Sequence, residues 1–154
     1  NDIGNIYYYM PDYENAMVYY EKALAIDPGY KYALVNKANV YDINGQTDKA
    51  IEYYYFATLA DDSYLSAHQF LGQMYFTQME YEKAVKCFNK VVELDPGYVW
   101  SYYYIGYVYY NQGEYEKAVP YFTKTIELDS TVTDAWYQMG NQYQYLAKYE
   151  EAEM

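Results

Sequence analysis

Apolar positions along this chain recur at helical spacing in short bursts, each ended by turn residues. In 99–132, Tyr102, Ile105 and Tyr109 recur at intervals of three and four, which places them on one face of a first helix. Gly113 ends that helix by supplying the positive φ that a helix C-terminus commonly adopts. Glu114 and Glu116 open a second helix, where acidic groups favour the positive end of the helix dipole. Ala118, Phe122 and Ile126 then give the second helix an apolar face toward the first. The segment Asp-Pro-Gly at 27–29 and 95–97 stops second helices elsewhere, because proline cannot continue the ladder and disfavours helix in the residue before it.

The bursts are periodic. Asp27-Pro28-Gly29-Tyr30 returns as Asp95-Pro96-Gly97-Tyr98, 68 residues on, which is twice 34. Asp61-Asp62-Ser63-Tyr64 lies halfway between, and Asp129-Ser130-Thr131 follows one period later. Aligned on 34 residues, Gly4, Ala38, Gly72, Gly106 and Gly140 form a small column. Tyr7, Tyr41, Tyr75, Tyr109 and Tyr143 form an aromatic one. Ala16, Ala50, Ala84, Ala118 and Ala152 form a second small column, and Tyr20, Tyr54, Phe88 and Phe122 a second aromatic one. Two antiparallel helices approach closely only where neither carries a bulky substituent, so glycine or alanine marks each crossing and the aromatics fill the space around it. A single hairpin cannot bury both faces, so units of this kind are stable only when stacked. On this register Gly106→Val overpacks a crossing, at about 1–3 kcal/mol.

These columns resemble the tetratricopeptide repeat, whose 34-residue pattern runs Trp-x2-Leu-Gly-x2-Tyr, then Ala-x3-Phe, then Ala and Pro. The fourth copy carries it best, in Tyr102, Ile105, Gly106, Tyr109, Ala118 and Phe122. The fifth supplies Trp136, Met139, Gly140, Tyr143 and Ala152. The resemblance covers the whole chain and implies an all-α fold, an α-solenoid of stacked antiparallel helical hairpins wound as a right-handed superhelix. It divides 1–154, as a single array, into a partial repeat 1–30, repeats 31–64, 65–98 and 99–132, and a partial repeat 133–154. Some positions depart from the pattern. Lys37 stands at the leucine position, Ala38 at the glycine, Asp62 at the proline and His68 at a large apolar position. Pro11 and Met79 replace the turn glycine, and Pro120 falls inside a second helix, where it removes one donor.

Composition narrows the function. The 154 residues include 28 tyrosines, ten lysines with no arginine, and 22 acidic side chains, for a net charge of −12. That field repels phosphate backbones and anionic membrane surfaces, which argues against nucleic acid as a partner. No apolar run approaches the ~18 residues of a membrane span. Cys87 is the only cysteine, so no intrachain disulfide forms; a lone thiol suits a reducing compartment such as the cytoplasm without requiring it. Catalysis is not expected, and neither a cofactor nor a metal. His68, the only histidine, points by register into the packing, and Cys87 reads as a small packing residue beside Phe88. Every glycine is assigned to a crossing or a turn, leaving no phosphate-binding loop.

Twelve tyrosines belong to the repeat's own columns. The surplus gathers on the first helix of the fourth copy, at Trp100, Tyr102, Tyr103, Tyr104, Tyr107, Tyr109 and Tyr110. In the family first helices line the concave side. The resemblance therefore implies a peptide-binding groove of Asn5, Tyr8, Val35, Asn39, Asp42, Gln69, Gln73, Phe76, Trp100, Tyr103, Tyr107, Tyr110, Tyr137 and Asn141. One of its columns is amide-rich, with Asn5, Asn39, Gln73 and Asn141 around Tyr107. Amides can bond both donor and acceptor of an extended backbone, although the family carries asparagine there in any case. Seven of the ten lysines fall in second helices, away from this groove. Family members that grip a C-terminal carboxylate use first-helix cations, where this chain has Asn1, Ser66 and Phe70, so an acidic tail is not the expected ligand. The expected function is a non-catalytic scaffold holding a neutral, aromatic or basic protein segment. A self-assembling module, with both ends falling inside a repeat, is an alternative, and so is the recruiting arm of a larger enzyme.

Overall fold

The computed structural model describes the backbone of residues 1–152, with side chains through Tyr145 and at Ala147. Nine helices run through the described residues: α1 (Asp2–Tyr9), α2 (Tyr13–Ile26), α3 (Lys31–Ile43), α4 (Thr47–Ala60), α5 (Leu65–Thr77), α6 (Tyr81–Leu94), α7 (Val99–Asn111), α8 (Tyr115–Leu128) and α9 (Thr133–Ala152). They fall into two compact units, one of Asn1–Met79 and one beginning at Glu80.

In the first unit α1 pairs with α2 and α3 with α4, while α3 packs on α2 and α5 on α4. The small and aromatic columns form its interior. Ala16, Tyr20, Ala33, Ala38, Ala50 and Tyr54 are essentially inaccessible. In the second unit α7 pairs with α8, α6 packs on α7, and α9 on α8. Ala84, Phe88, Ile105, Ala118, Phe122 and Ala135 repeat the same interior. The all-α solenoid of helical hairpins is thus present, built on the crossings that the small columns marked.

The recurrent aspartate has a local cause. Asp27, Asp61, Asp95 and Asp129 each follow a second helix in extended backbone. Each turns Oδ1 onto the backbone N–H two residues later, at 2.9–3.0 Å. The side chain therefore closes the loop with or without a following proline, as an Asx turn does. Hairpin turns use the left-handed region, with φ of 70° at Gly45, 76° at Gly113 and 59° at Met79.

The departures from the repeat pattern resolve individually. Lys37 is buried, and its Nζ reaches Glu21 at 3.0 Å and the Tyr53 ring at 4.7 Å. A leucine position is thus filled by a paired cation whose stem packs as the leucine would. His68 is buried with Nε2 3.0 Å from the Asp62 carbonyl. Cys87 is buried, and burial pushes its thiol up to about 11, which leaves it protonated at neutral pH. Helix α8 runs without interruption through Pro120.

The fifth copy differs from expectation. A second helix carrying Ala152 was expected there, yet Thr133–Ala152 is one helix of 20 residues. The position that holds Gly45 and Gly113 in two of the four preceding turns, and Pro11 and Met79 in the others, is here Ala147, a strong helix former with no preference for positive φ. Trp136 and Tyr143 are consequently exposed, and a Cβ built on Gly140 would meet nothing within 4 Å. The side chain of Ala152 lies outside the described residues.

Candidate functional site

In the first unit, the amide column proves to be tied to the aromatic one. The buried Tyr20 hydroxyl donates to Asn5 Oδ1 at 3.0 Å, and the buried Tyr54 hydroxyl donates to Asn39 Oδ1 at 2.5 Å. Asn5 Oδ1 also accepts from Asn36 Nδ2 at 2.7 Å. A buried hydroxyl without a partner costs about 1–3 kcal/mol, so these two asparagines have a structural duty. The third and fourth copies carry Phe88 and Phe122, with no hydroxyl to satisfy, and there the amide column reads Gln73 and Tyr107. That covariation within one chain was legible in the sequence, and reading each column alone missed it. The Nδ2 groups of Asn5 and Asn39 donate to nothing among the described residues. Burial raises the Tyr20 hydroxyl to about 12, with Tyr8 and Tyr9 adding to it. Tyr54 is raised by burial and then by Asp42 and Tyr8.

The other expected residues of this unit are placed unequally. Val35 is 3% exposed and offers no surface. Tyr8 is half-buried, its ring 5.7 Å from Tyr13. Gln69, Gln73 and Phe76 are half-buried on α5. Asp42 is exposed and has no hydrogen-bond or ion-pair partner among the described residues.

In the second unit the surplus aromatics assemble into one continuous stripe. Trp100 meets Tyr103 edge to face at 5.7 Å and 82°. Tyr103 stacks on Tyr107 at 5.8 Å and 14°, and Tyr107 on Tyr110 at 5.9 Å and 2°. Tyr110 contacts Tyr115 at 5.6 Å, and Tyr115 stacks on Tyr145 at 4.9 Å and 3°. The α7 members sit at intervals of three and four, so a straight helix lines them up. Tyr103 also packs against the buried Phe122 at 5.8 Å, which fixes the stripe to the core. Tyr115 and Tyr145 were not among the expected residues. They come from α8 and α9, and only the packing of those helices joins them to α7. Tyr137 and Asn141 lie on α9, exposed and half-buried respectively. Burial pushes the Tyr103 hydroxyl up to about 12, followed by the charge of Asp134 and then by Tyr107 and Tyr104.

Charge is distributed unevenly around these faces. Lys31 pairs with Asp61, Lys37 with Glu21, Lys83 with Glu80, Lys90 with Glu93, Lys117 with Glu114 and Lys124 with Glu127. Helix α7 carries no charged residue. Asp134, exposed in the first turn of α9, has no hydrogen-bond or ion-pair partner among the described residues. No group of three or more His, Cys, Asp or Glu side chains placed to hold a metal ion occurs among those residues. No helix among them is long and apolar enough to cross a membrane.

Comparison with known proteins accounts for the architecture. A pattern described as "Tetratricopeptide repeat" matches residues 1–30 and 99–132, and another so described matches 19–52. A third, described as "TPR repeat", matches 72–113. No curated protein sequence matches the chain. The crystal structure of MamA is similar at 28% identity and a TM-score of 0.89, covering 99% of this chain and 89% of that one. YrrB, described as a TPR protein with an unusual peptide-binding site, is 24% identical with a TM-score of 0.84, covering 98% and 78%. The first TPR of Spaghetti, bound to the HSP90 peptide SRMEEVD, is 24% identical with a TM-score of 0.72, covering 76% and 93%. The last two likenesses are of fold alone. With repeat patterns matching in all but two stretches of its described length and hairpins of the matching kind, the chain belongs to the tetratricopeptide repeat family.

Proposed function

We propose that this protein, as one array over 1–154, is a non-catalytic scaffold that holds an extended segment of another protein against its first-helix faces. The observation that carries the reading is the aromatic stripe on α7, fixed to the core on one side and open on the other. Trp100, at its end, is 48% exposed. From Trp100 to Tyr110 the helix rises about 15 Å, which about five residues of extended chain span at ~3.1 Å each. Flat aromatic anchors give large contact area with few rotamers to freeze, which suits them to carry binding energy. In the first unit, the unused Nδ2 donors of Asn5 and Asn39 are suited to carbonyl groups of such a segment. The tetratricopeptide fold serves protein–protein interaction, and YrrB and Spaghetti are peptide-binding examples.

The test is selection from a random heptapeptide library on the full chain and on a Trp100→Ala, Tyr107→Leu variant whose helicity is checked by circular dichroism. Peptides enriched on the parent should be lost from the variant by at least about tenfold, as expected for two anchor residues. Equal retention by the variant, or no enrichment on the parent, refutes the reading.

A second reading rests on α9. Trp136 and Tyr143 are exposed and the Gly140 crossing is open, so this face suits end-to-end association of copies. Light scattering across concentration tests it, and a strict monomer at the highest concentration removes it.

A further inference from the structure

We infer that the outer face of α4, where Tyr55, Phe56 and Leu59 follow Asp48 and Glu52, docks an amphipathic helix of a partner protein that carries lysine or arginine beside its apolar stripe. This surface belongs to a second helix and does not rest on the first-helix binding proposed above.

The repeat supplies its own comparison. The place of Phe56 is lysine in the second helices α2, α6 and α8, at Lys22, Lys90 and Lys124, and the place of Leu59 is glutamate in two of them, at Glu93 and Glu127. Lys90 pairs with Glu93 at 3.5 Å and Lys124 with Glu127 at 3.2 Å, while Lys22 Nζ stands 4.7 Å from the Tyr19 ring centroid. Helix α4 has phenylalanine and leucine at the positions of that ion pair. It adds Tyr55 where the others have Glu21, Asn89 and Thr123. A face that is polar in three second helices is therefore apolar in one.

The three side chains form a patch. Tyr55 is 47% exposed, Phe56 40% and Leu59 65%. At 3.6 residues per turn they share an arc of about 100°, and Asp48 and Glu52 fall within the same arc. Single apolar side chains are ordinary on a surface, whereas a contiguous group rimmed by charge marks an interaction site. The Phe56 ring is already placed, edge-on to Tyr53 at 5.9 Å and 84°, with Tyr53 against Tyr41 at 5.4 Å. An anchor ordered before binding has less freedom to lose on binding. From Asp48 to Leu59 the helix rises about 16 Å, and a row of this kind is what the ridge of a second helix packs against.

Charge selects the partner. Asp48 and Glu52 are exposed and have no hydrogen-bond or ion-pair partner among the described residues. Lys49, their neighbour on α4, donates instead to Gln46 Oε1 at 3.0 Å and lies 5.2 Å from the Tyr41 ring centroid. A second copy of α4 laid on the patch would bring the same two carboxylates and no cation, in a chain of net charge −12. An anionic membrane surface would meet the same repulsion. A helix with lysine or arginine about one turn from its leucines covers the apolar side chains and pairs both carboxylates.

The probes are three helical peptides of about 18 residues, leucine-striped on an alanine background, that differ only in carrying lysine, glutamine or glutamate beside the stripe. Binding to the full chain is followed by NMR on the Leu59 methyls and the α4 amides. The lysine peptide should shift these resonances saturably, the glutamine peptide should bind about three- to tenfold more weakly, and the glutamate peptide should not bind. Asp48→Asn with Glu52→Gln should weaken the lysine peptide about three- to tenfold, and added salt should act in the same direction. Phe56→Lys with Leu59→Glu gives α4 the ion pair of α6 and α8. That variant should keep its helicity and thermal midpoint and lose the lysine peptide, while heptapeptide capture through Trp100 and Tyr107 continues. Three results overturn the inference: glutamine and lysine peptides binding equally well, undiminished binding to the Phe56→Lys, Leu59→Glu variant, or no shift on α4 with any peptide. Concentration-dependent light scattering that this variant abolishes would make a second copy the occupant, and overturns it too. Loss of heptapeptide capture with α4 binding intact would remove the first-helix proposal and leave this one standing.

Discussion

Alanine placed at different members of the glycine column should change stability with opposite signs, and the structure sets the order. A glycine inside a helix costs about 0.5–1 kcal/mol relative to alanine. At Gly140 a new Cβ meets nothing within 4 Å, so Gly140→Ala should stabilise α9 by about that amount. At Gly106 the same Cβ falls 3.2 Å from Cε1, Cε2 and Cζ of Phe122 at once. That ring is fully buried and wedged against Tyr103, so it cannot yield a few tenths of an ångström freely. Overpacking of this kind costs about 1–3 kcal/mol, which outweighs the helix gain, and Gly106→Ala should be destabilising by about 1 kcal/mol. Gly106→Val should cost the full 1–3 kcal/mol or so. Gly4→Ala should be worse than Gly106→Ala, since its Cβ would lie 2.6 Å from Tyr20 Cε1 and 3.2 Å from the Ala16 carbonyl. Ala38 shows that the column accepts a methyl where the helices are set for it. Urea denaturation followed at 222 nm measures the series, and each kcal/mol should move the thermal midpoint by roughly 2–4 °C. If Gly106→Ala raises the midpoint as far as Gly140→Ala does, the ring of Phe122 is not what closes the crossing.

Four other outcomes follow from the same structure. Ser101 is fully buried with its hydroxyl unpartnered among the described residues, at a column where Ala33, Ala67 and Ala135 stand; Ser101→Ala should stabilise by about 1–2 kcal/mol in urea denaturation. Gln142, buried with neither amide atom partnered among the described residues and standing at the column of Val40 and Val108, should respond to Gln142→Val in the same direction. Met79 is exposed and sits at φ 59°, so Met79→Gly should stabilise by up to about 1 kcal/mol and raise the midpoint, the relief of about 1–2 kcal/mol exceeding the entropic cost of glycine; a lowered midpoint refutes this. The Lys31 ammonium and the Ser63 hydroxyl and N–H hold the Asp61 carboxyl down to about 2 from the ordinary 3.8. Its folded value is lowered, so its contribution is complete above 3.8 and disappears as pH falls toward about 2. Asp61→Asn should flatten the acid limb of the melting curve in that window, and an unchanged slope there sinks the assignment.

Much of this protein was determined by the order of its residues. The 34-residue columns place the helices, because three- and four-residue spacing, turn glycines and loop aspartates all act over a few neighbouring residues. The burial of Tyr20, Tyr54, Phe88 and Phe122 also follows, since a period read five times identifies the face that stacking must cover. The same columns named Trp100, Tyr103, Tyr107 and Tyr110 as the surplus aromatics of α7.

What each polar or aromatic side chain does was decided only by the tertiary structure. Periodicity assigns a residue to a face, and the partner on that face comes from another helix. Asn5 and Asn39 meet hydroxyls fifteen residues away, and Lys37 meets Glu21 sixteen residues away. Val35 shares a register position with groove residues yet is buried. Tyr115 and Tyr145 extend the α7 stripe from two other helices. The continuation of α9 past Ala147 shows the opposite limit, in which the repeat pattern by itself does not produce the turn. Local chemistry sets where the chain bends, whereas the burial of unlike neighbours sets which atoms are left to recognise a partner.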